Sequence, residues 1–166
     1  MNIKTWLLIV IVVMTPVLQA PAQQATLQEE QDFRFAIQLE NKGLYDLAAL
    51  QFERFAESYP MSQSAPQALF LSAQNYSKAD SISRAAAIYQ KMLFTYPQSD
   101  ILDNSQFEYA KLLQSNGENL KAALAFERIK LLDAKSELVP DAQLYAAQSF
   151  LRAEQFQKAY DAAAFI

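Results

Sequence analysis

Carboxylates are the groups in this sequence most able to move a proton, so their spacing is the first question. Glu29 and Glu30 are adjacent, and adjacent positions on a helix point in different directions. Glu53 and Glu57 are four apart and share a helix face, but Arg54 lies beside them in the pattern of a solvated surface. Glu137 and Asp141 flank Pro140, where acids suit the start of a helix. None of these pairs brings with it the pocket and displaced pKa that general acid–base catalysis needs. Asp100 and Asp103 hint at a calcium loop, but the following glycine and the closing glutamate are missing. The chain has no His and no Cys. That excludes imidazole bases, thiol nucleophiles, disulfides and most zinc or haem sites. The serines have no histidine to activate them. The expectation is a protein that is not an enzyme, with no metal site and no cofactor.

The elements that would position any site follow from composition and periodicity. The 166 residues are 52% hydrophobic and 19% charged, enough for a packed core in one domain or one short repeat array. Two glycines in the whole chain argue against a tight-turned barrel or a phosphate-cradling loop and favour helices. The net charge of −4 has the wrong sign for a nucleic-acid binder.

Residues 1–22 read as a secretory signal peptide. Lys4 supplies the positive start, Trp6 to Met14 is an unbroken apolar run, and Ala20-Pro21-Ala22 is a cleavage site. The apolar stretch contains Pro16 and is shorter than the roughly 20 residues a spanning helix needs. The mature chain is expected to start at Gln23, with a polar linker over 23–28.

Over 29–166 the sequence repeats itself every 37 residues. Ala36, Ala73, Ala110 and Ala147 form one column; Ala48, Ala85, Ala122 and Ala159 form a second. Phe33, Phe70, Phe107 and Leu144 form a third, and Phe52, Tyr89, Phe126 and Ala163 a fourth. Within one period, two apolar runs with helical spacing flank a turn, which describes a helical hairpin. The two Ala columns put a small side chain on each helix and let the backbones approach. Pro60 and Pro97 close their repeats, while Pro66 and Pro140 sit in first turns, where a missing N–H costs nothing. Ser64 with Gln67 is expected to form a capping box. Helices are predicted at 29–41, 45–58, 65–79, 82–95, 101–115, 119–132, 140–153 and 156–166. The four hairpins occupy about 29–65, 66–102, 103–139 and 140–166, the last incomplete, and none could bury its apolar face without a neighbour.

This pattern resembles the tetratricopeptide repeat. The first repeat supplies Ala36, Gly43, Tyr45, Ala48, Phe52 and Pro60; the second supplies Ala73, Ala85, Tyr89 and Pro97, with Asp80 at the glycine position. The third supplies Ala110, Gly117, Ala122 and Phe126, and the fourth Ala147, Phe156 and Ala159. The endings Phe55-Ala56-Glu57-Ser58-Tyr59-Pro60-Met61-Ser62 and Phe94-Thr95-Tyr96-Pro97-Gln98-Ser99 resemble exported repeat proteins of bacterial envelopes. Two such families are the Tol-Pal-associated cell-division coordinator and the repeat lipoprotein of the outer-membrane assembly machine; the latter's lipobox Cys is absent here. The resemblance implies an all-α, right-handed α-solenoid of about four tetratricopeptide-like hairpins. It also implies a periplasmic, non-catalytic adaptor or scaffold that binds a protein or peptide of the cell envelope. Membrane association would then come only through a partner. The alternative is a structural module of a longer exported protein.

By the same resemblance the first helices line a concave groove. Its positions are Phe33, Arg34 and Ile37; Phe70, Leu71 and Gln74; Phe107, Glu108 and Lys111; and Leu144, Tyr145 and Gln148. The aromatic column could bind a ligand or pack between repeats. The basic clamp that some tetratricopeptide proteins use on a C-terminal carboxylate is absent, so a peptide would be held by aromatic contact and by amides such as Gln74 and Gln148. Arg54, Lys91 and Arg128 repeat at the same period, as an acid-binding stripe or a solvated face. The end of the sequence, Ala162 to Ile166, is apolar and has no cap. It is expected either to continue in a longer reading frame or to be covered by a partner, self-association included.

Overall fold

The computed structural model describes residues 26–164. The predicted signal peptide, residues 23–25 of the linker, and Phe165 and Ile166 lie outside the described residues. Eight helices fill the described part: α1 (26–41), α2 (Tyr45–Ser58), α3 (Ala65–Lys78), α4 (Ile82–Thr95), α5 (Leu102–Ser115), α6 (Asn119–Leu132), α7 (Val139–Arg152) and α8 (Phe156–Ala163). Consecutive helices pack on one another from α2 to α8, giving an all-α solenoid of helix hairpins. Among the described residues no helix is long and apolar enough to cross a membrane.

The expected helix boundaries hold within one residue from α2 to α7. Residues 26–28, expected in the linker, are helical instead. Gln28 donates to Asp32 one turn on, at 2.9 Å, and Gln and Glu are good helix formers. The capping box at Ser64 does not form. Ser64 already has helical backbone angles, and its N–H donates to the Ser62 hydroxyl at 3.0 Å. The same turn recurs where the Ser99 hydroxyl accepts from Ile101 N–H and the Ser136 hydroxyl from Leu138 N–H.

Within each hairpin the turn is a left-handed helix cap. At the first, Gly43 N–H reaches Glu40 O at 2.8 Å and Leu44 N–H reaches Leu39 O at 3.0 Å. Gly43, Asp80, Gly117 and Glu154 all take positive φ at this one repeat position. Pro66 and Pro140 sit in the first turns of α3 and α7.

Both Ala columns are buried, as are Phe52, Tyr89 and Phe126. Burying each such ring stabilises the fold by about 2–3 kcal/mol. The core divides into two clusters. One joins α1 to α4, with Leu112 added from α5; the other runs from α5 to α8. Packing is thinnest at the boundary between them, where α4 meets α5.

Candidate functional site

The first helices build the face on which a site was expected, and the structure splits the expected residues between packing and exposure. Phe33 is half-buried, its ring edge-on to Phe52 at 5.4 Å and to Phe55 at 5.1 Å. Phe70 meets Tyr89 edge-on at 6.1 Å. Phe107 meets Phe126 at 5.4 Å and Tyr145 at 5.7 Å, and Tyr145 stacks on Phe126. The aromatic column therefore packs against the second helix of its own repeat and keeps one side toward solvent. Leu144 breaks the column and is 45% exposed. Ile37 and Leu71 are half-buried against the first core. Arg34 is exposed and paired with Glu30 one turn back. Gln148 is half-buried.

Three of the expected residues meet in one place. Gln74, Glu108 and Lys111 line a cleft of about 520 Å³ between α3 and α5, with Ser77, Lys78, Leu112 and Ser115, and with Tyr89 of α4. Lys111 pairs with Glu108 at 3.2 Å, its ammonium 5.8 Å above the Phe107 ring. Lys78 pairs with Glu40 of α1 at 2.7 Å and lies over Tyr45. Burial, and then the charge of Glu108, push the Tyr89 phenol far above its ordinary pKa, so it stays a donor. Phe33 and Arg34 line a separate hollow of about 320 Å³ with Glu29, Glu30 and Phe55. Tyr145 and Gln148 line neither.

Lys78, Ser115 and Tyr89 were missed by the sequence reading. Lys78 and Ser115 share a repeat position one turn beyond Gln74 and Lys111, so extending the groove column by four residues finds them. Tyr89 was visible as a core aromatic, and nothing in its column distinguishes a core ring from one that also borders a cleft.

The carboxylates serve structure. Glu53 and Glu57 both reach Lys91 of the next repeat, at 3.5 and 2.7 Å. Partial burial works against the Lys91 charge, but Glu57 and Glu53 outweigh it and raise its pKa. The Arg54–Lys91–Arg128 column thus holds one clip between repeats and two exposed arginines. Among the described residues no group of three acidic, His or Cys side chains is placed to hold a metal ion.

These hairpins define a class: an α-solenoid of tetratricopeptide-like repeats. Solved structures similar to the chain include two of a Podosopora anserina putative kinesin light chain with nearly identical TPR-like repeats. One matches at 17% identity with a TM-score of 0.60, and a point variant of the same protein at 16% and 0.61; each match covers 81% of this chain and 71% of the other. Neither a family model nor a curated protein matches the sequence.

Proposed function

We propose that this chain is a non-catalytic adaptor that holds a protein or peptide partner on the face of its first helices. The cleft between α3 and α5 carries this reading: it combines amide, hydroxyl, ammonium and carboxylate groups over an aromatic floor, a lining that grips a polypeptide and lacks a nucleophile with its base. The signal-like residues 1–22 and the Tyr-Pro-x-Ser endings support placing it in the bacterial cell envelope, exported and cleaved before Gln23. N-terminal sequencing of the mature protein from a periplasmic fraction tests the location; a chain still starting at Met1 in the cytoplasm would refute it.

The adaptor role is tested on a partner recovered from an envelope extract and then purified. Gln74→Ala with Lys111→Ala should lower its affinity about tenfold or more without lowering stability. Unchanged affinity would refute binding on this face. Phe107→Ala should instead cost about 3 kcal/mol of stability, because its ring packs on Phe126 and Tyr145.

One observation favours a second contact. Phe156 and Tyr160 on α8 are 67% and 72% exposed. Tyr160 occupies the repeat position of Ala49, Ala86 and Ala123, of which Ala49 and Ala123 are fully buried. This patch calls for a cover, supplied by a following repeat in a longer chain or by a second copy of this one. Sedimentation of wild type and Tyr160→Glu tests the second copy: a concentration-dependent dimer lost in the variant supports that contact, and a monomer at all concentrations refutes it.

A further inference from the structure

We propose that the face of the second helices where Arg128 of α6 stands beside Phe94 of α4 docks an acidic segment of a partner protein. One carboxylate of the segment pairs with the guanidinium, while an apolar side chain next to it lies on Phe94 and Leu131. None of these three residues lines the cleft between α3 and α5, so the inference stands apart from the reading of that cleft.

An earlier seam shows what chemistry this position takes. Arg54, Lys91 and Arg128 share one repeat position. Lys91 is clipped to the preceding second helix, its ammonium 3.5 Å from Glu53 and 2.7 Å from Glu57. One period on, the residues that face Arg128 in the same register are Gln90 and Phe94, so both carboxylates are gone. Gln90 is engaged elsewhere, its Nε2 donating to the Tyr109 hydroxyl of α5 at 2.6 Å. Glu127 adjoins Arg128 in sequence but shares the repeat position of Glu53 and, like it, faces the following repeat, where it lines a hollow with Asp161 of α8. Arg128 is exposed, and among the described residues it makes no ion pair or hydrogen bond.

What replaces the acids is apolar. Phe94 is 88% exposed, and Leu131, its counterpart one period on, is 84% exposed. No other large apolar side chain on the described helices is as exposed. Leu131 lies one turn from Arg128 on the same helix face. A planar guanidinium takes both oxygens of a carboxylate, and apolar contacts around the pair keep water off it. A segment that sets Asp or Glu next to a large apolar side chain satisfies both halves of the face. A basic segment would meet the charge of Arg128, and an anionic lipid surface would meet the net charge of −4.

The test is a random peptide library displayed on phage, selected on the purified chain after passage over its Phe94→Glu variant. That variant puts at position 94 the carboxylate that Glu57 offers Lys91, so it closes the site from within, and its thermal midpoint should hold or rise. Surviving peptides should carry Asp or Glu next to Leu, Phe or Trp. Titrated singly, they should bind Arg128→Ala about three- to tenfold more weakly and Phe94→Ala about tenfold or more. Their affinity should fall as salt rises. Gln74→Ala with Lys111→Ala, in the cleft, should change nothing. No survivor, survivors without an acid, or survivors that bind Arg128→Ala like wild type would each overturn the proposal and leave the cleft reading as it stands. A lowered thermal midpoint in Phe94→Ala would also overturn it, by showing that the ring belongs to the fold. If phosphatidylglycerol vesicles bind the wild type and not Arg128→Ala while no peptide survives, the face belongs to a lipid surface and the proposal falls.

Discussion

Asp80 and Glu154 stand two periods apart and share one backbone conformation, each with φ of 58°. Gly43 and Gly117 occupy the same repeat position at φ of 72° and 79°. A side chain in the left-handed region costs roughly 1–2 kcal/mol, part of which is offset because glycine loses more entropy on folding. Asp80→Gly and Glu154→Gly should therefore each stabilise the protein by about 0.5–1 kcal/mol, Glu154→Gly more, since Asp tolerates this region better. The reverse changes, Gly43→Ala and Gly117→Ala, should destabilise by about 1 kcal/mol. Nothing lies within 4 Å of a Cβ at either glycine, so the cost is backbone strain alone. Urea unfolding midpoints measure all four; a glycine variant at Glu154 that unfolds earlier would contradict the argument.

The hairpins were legible because each repeat states the same pattern and one repeat's ambiguity is settled by its neighbours. Ala36 alone means little, but with Ala73, Ala110 and Ala147 it marks a helix face that must be small. Tyr109 was legible in principle, since it stands in column with Ser72 and Ala146. A column that disagrees says only that one seam packs differently, and how α4 meets α5 there is seen only in three dimensions. The Glu154 turn was obscured in the same way, by a residue type that says nothing of left-handed backbone. The division of the groove into a cleft at Gln74 and Lys111 and a hollow at Arg34 could not be read from spacing. It depends on how far neighbouring repeats separate, which is a packing outcome.

The serines that end each repeat carry unequal loads. The Ser62 hydroxyl donates to Glu29 and accepts from Ser64 N–H; the Ser136 hydroxyl donates to Asp103 and accepts from Leu138 N–H. At Ser99 the repeat position of those acids is Pro66, so only the bond from Ile101 N–H remains, and it is long at 3.4 Å. Ser62→Ala and Ser136→Ala should each cost about 1–2 kcal/mol, with one bond to a charged group lost in each, and Ser99→Ala about 0.5 kcal/mol or less. Equal losses at the three positions, by chemical denaturation, would show that the acid partners contribute nothing.

Stability should fall on the alkaline side. Tyr89, Tyr59, Tyr76 and Tyr96 all have pKa values raised above the ordinary 10.0: Tyr89, Tyr76 and Tyr96 chiefly by burial, and Tyr59 by the hydrogen bond it donates to Asp32. In each case the folded state holds its proton after the unfolded state has lost it. The stabilisation is complete below pH 10 and is lost as pH rises through the folded pKa. Lys91 acts in the same direction, since Glu57 and Glu53 raise it. The thermal midpoint should be level up to about pH 10 and decline above it, and Tyr89→Phe should make the decline shallower. A decline no different in that variant would show that the buried phenol is not part of it.

Gln106 offers the last test, because it marks a buried polar group that the fold only half satisfies. Its side chain is 2% exposed on α5. Nε2 donates to Ala125 O on α6 at 2.8 Å, but Oε1 has no partner among the described residues. Ala125 O lies inside α6, where a helix bond already engages it, so the amide's bond there is an addition and not a rescue. Leaving a buried acceptor unpaired costs about 1–3 kcal/mol. Leu69 fills the same repeat position in α3 and is as fully buried, so this site accepts a leucine's shape. Gln106→Leu removes the unpaired oxygen and adds apolar burial, at the loss of one hydrogen bond. The balance favours the variant by about 1 kcal/mol, read as a higher urea midpoint with unchanged slope. A midpoint lowered by about 1 kcal/mol or more would mean that the Ala125 contact holds α5 to α6 and that Oε1 finds a partner in solution.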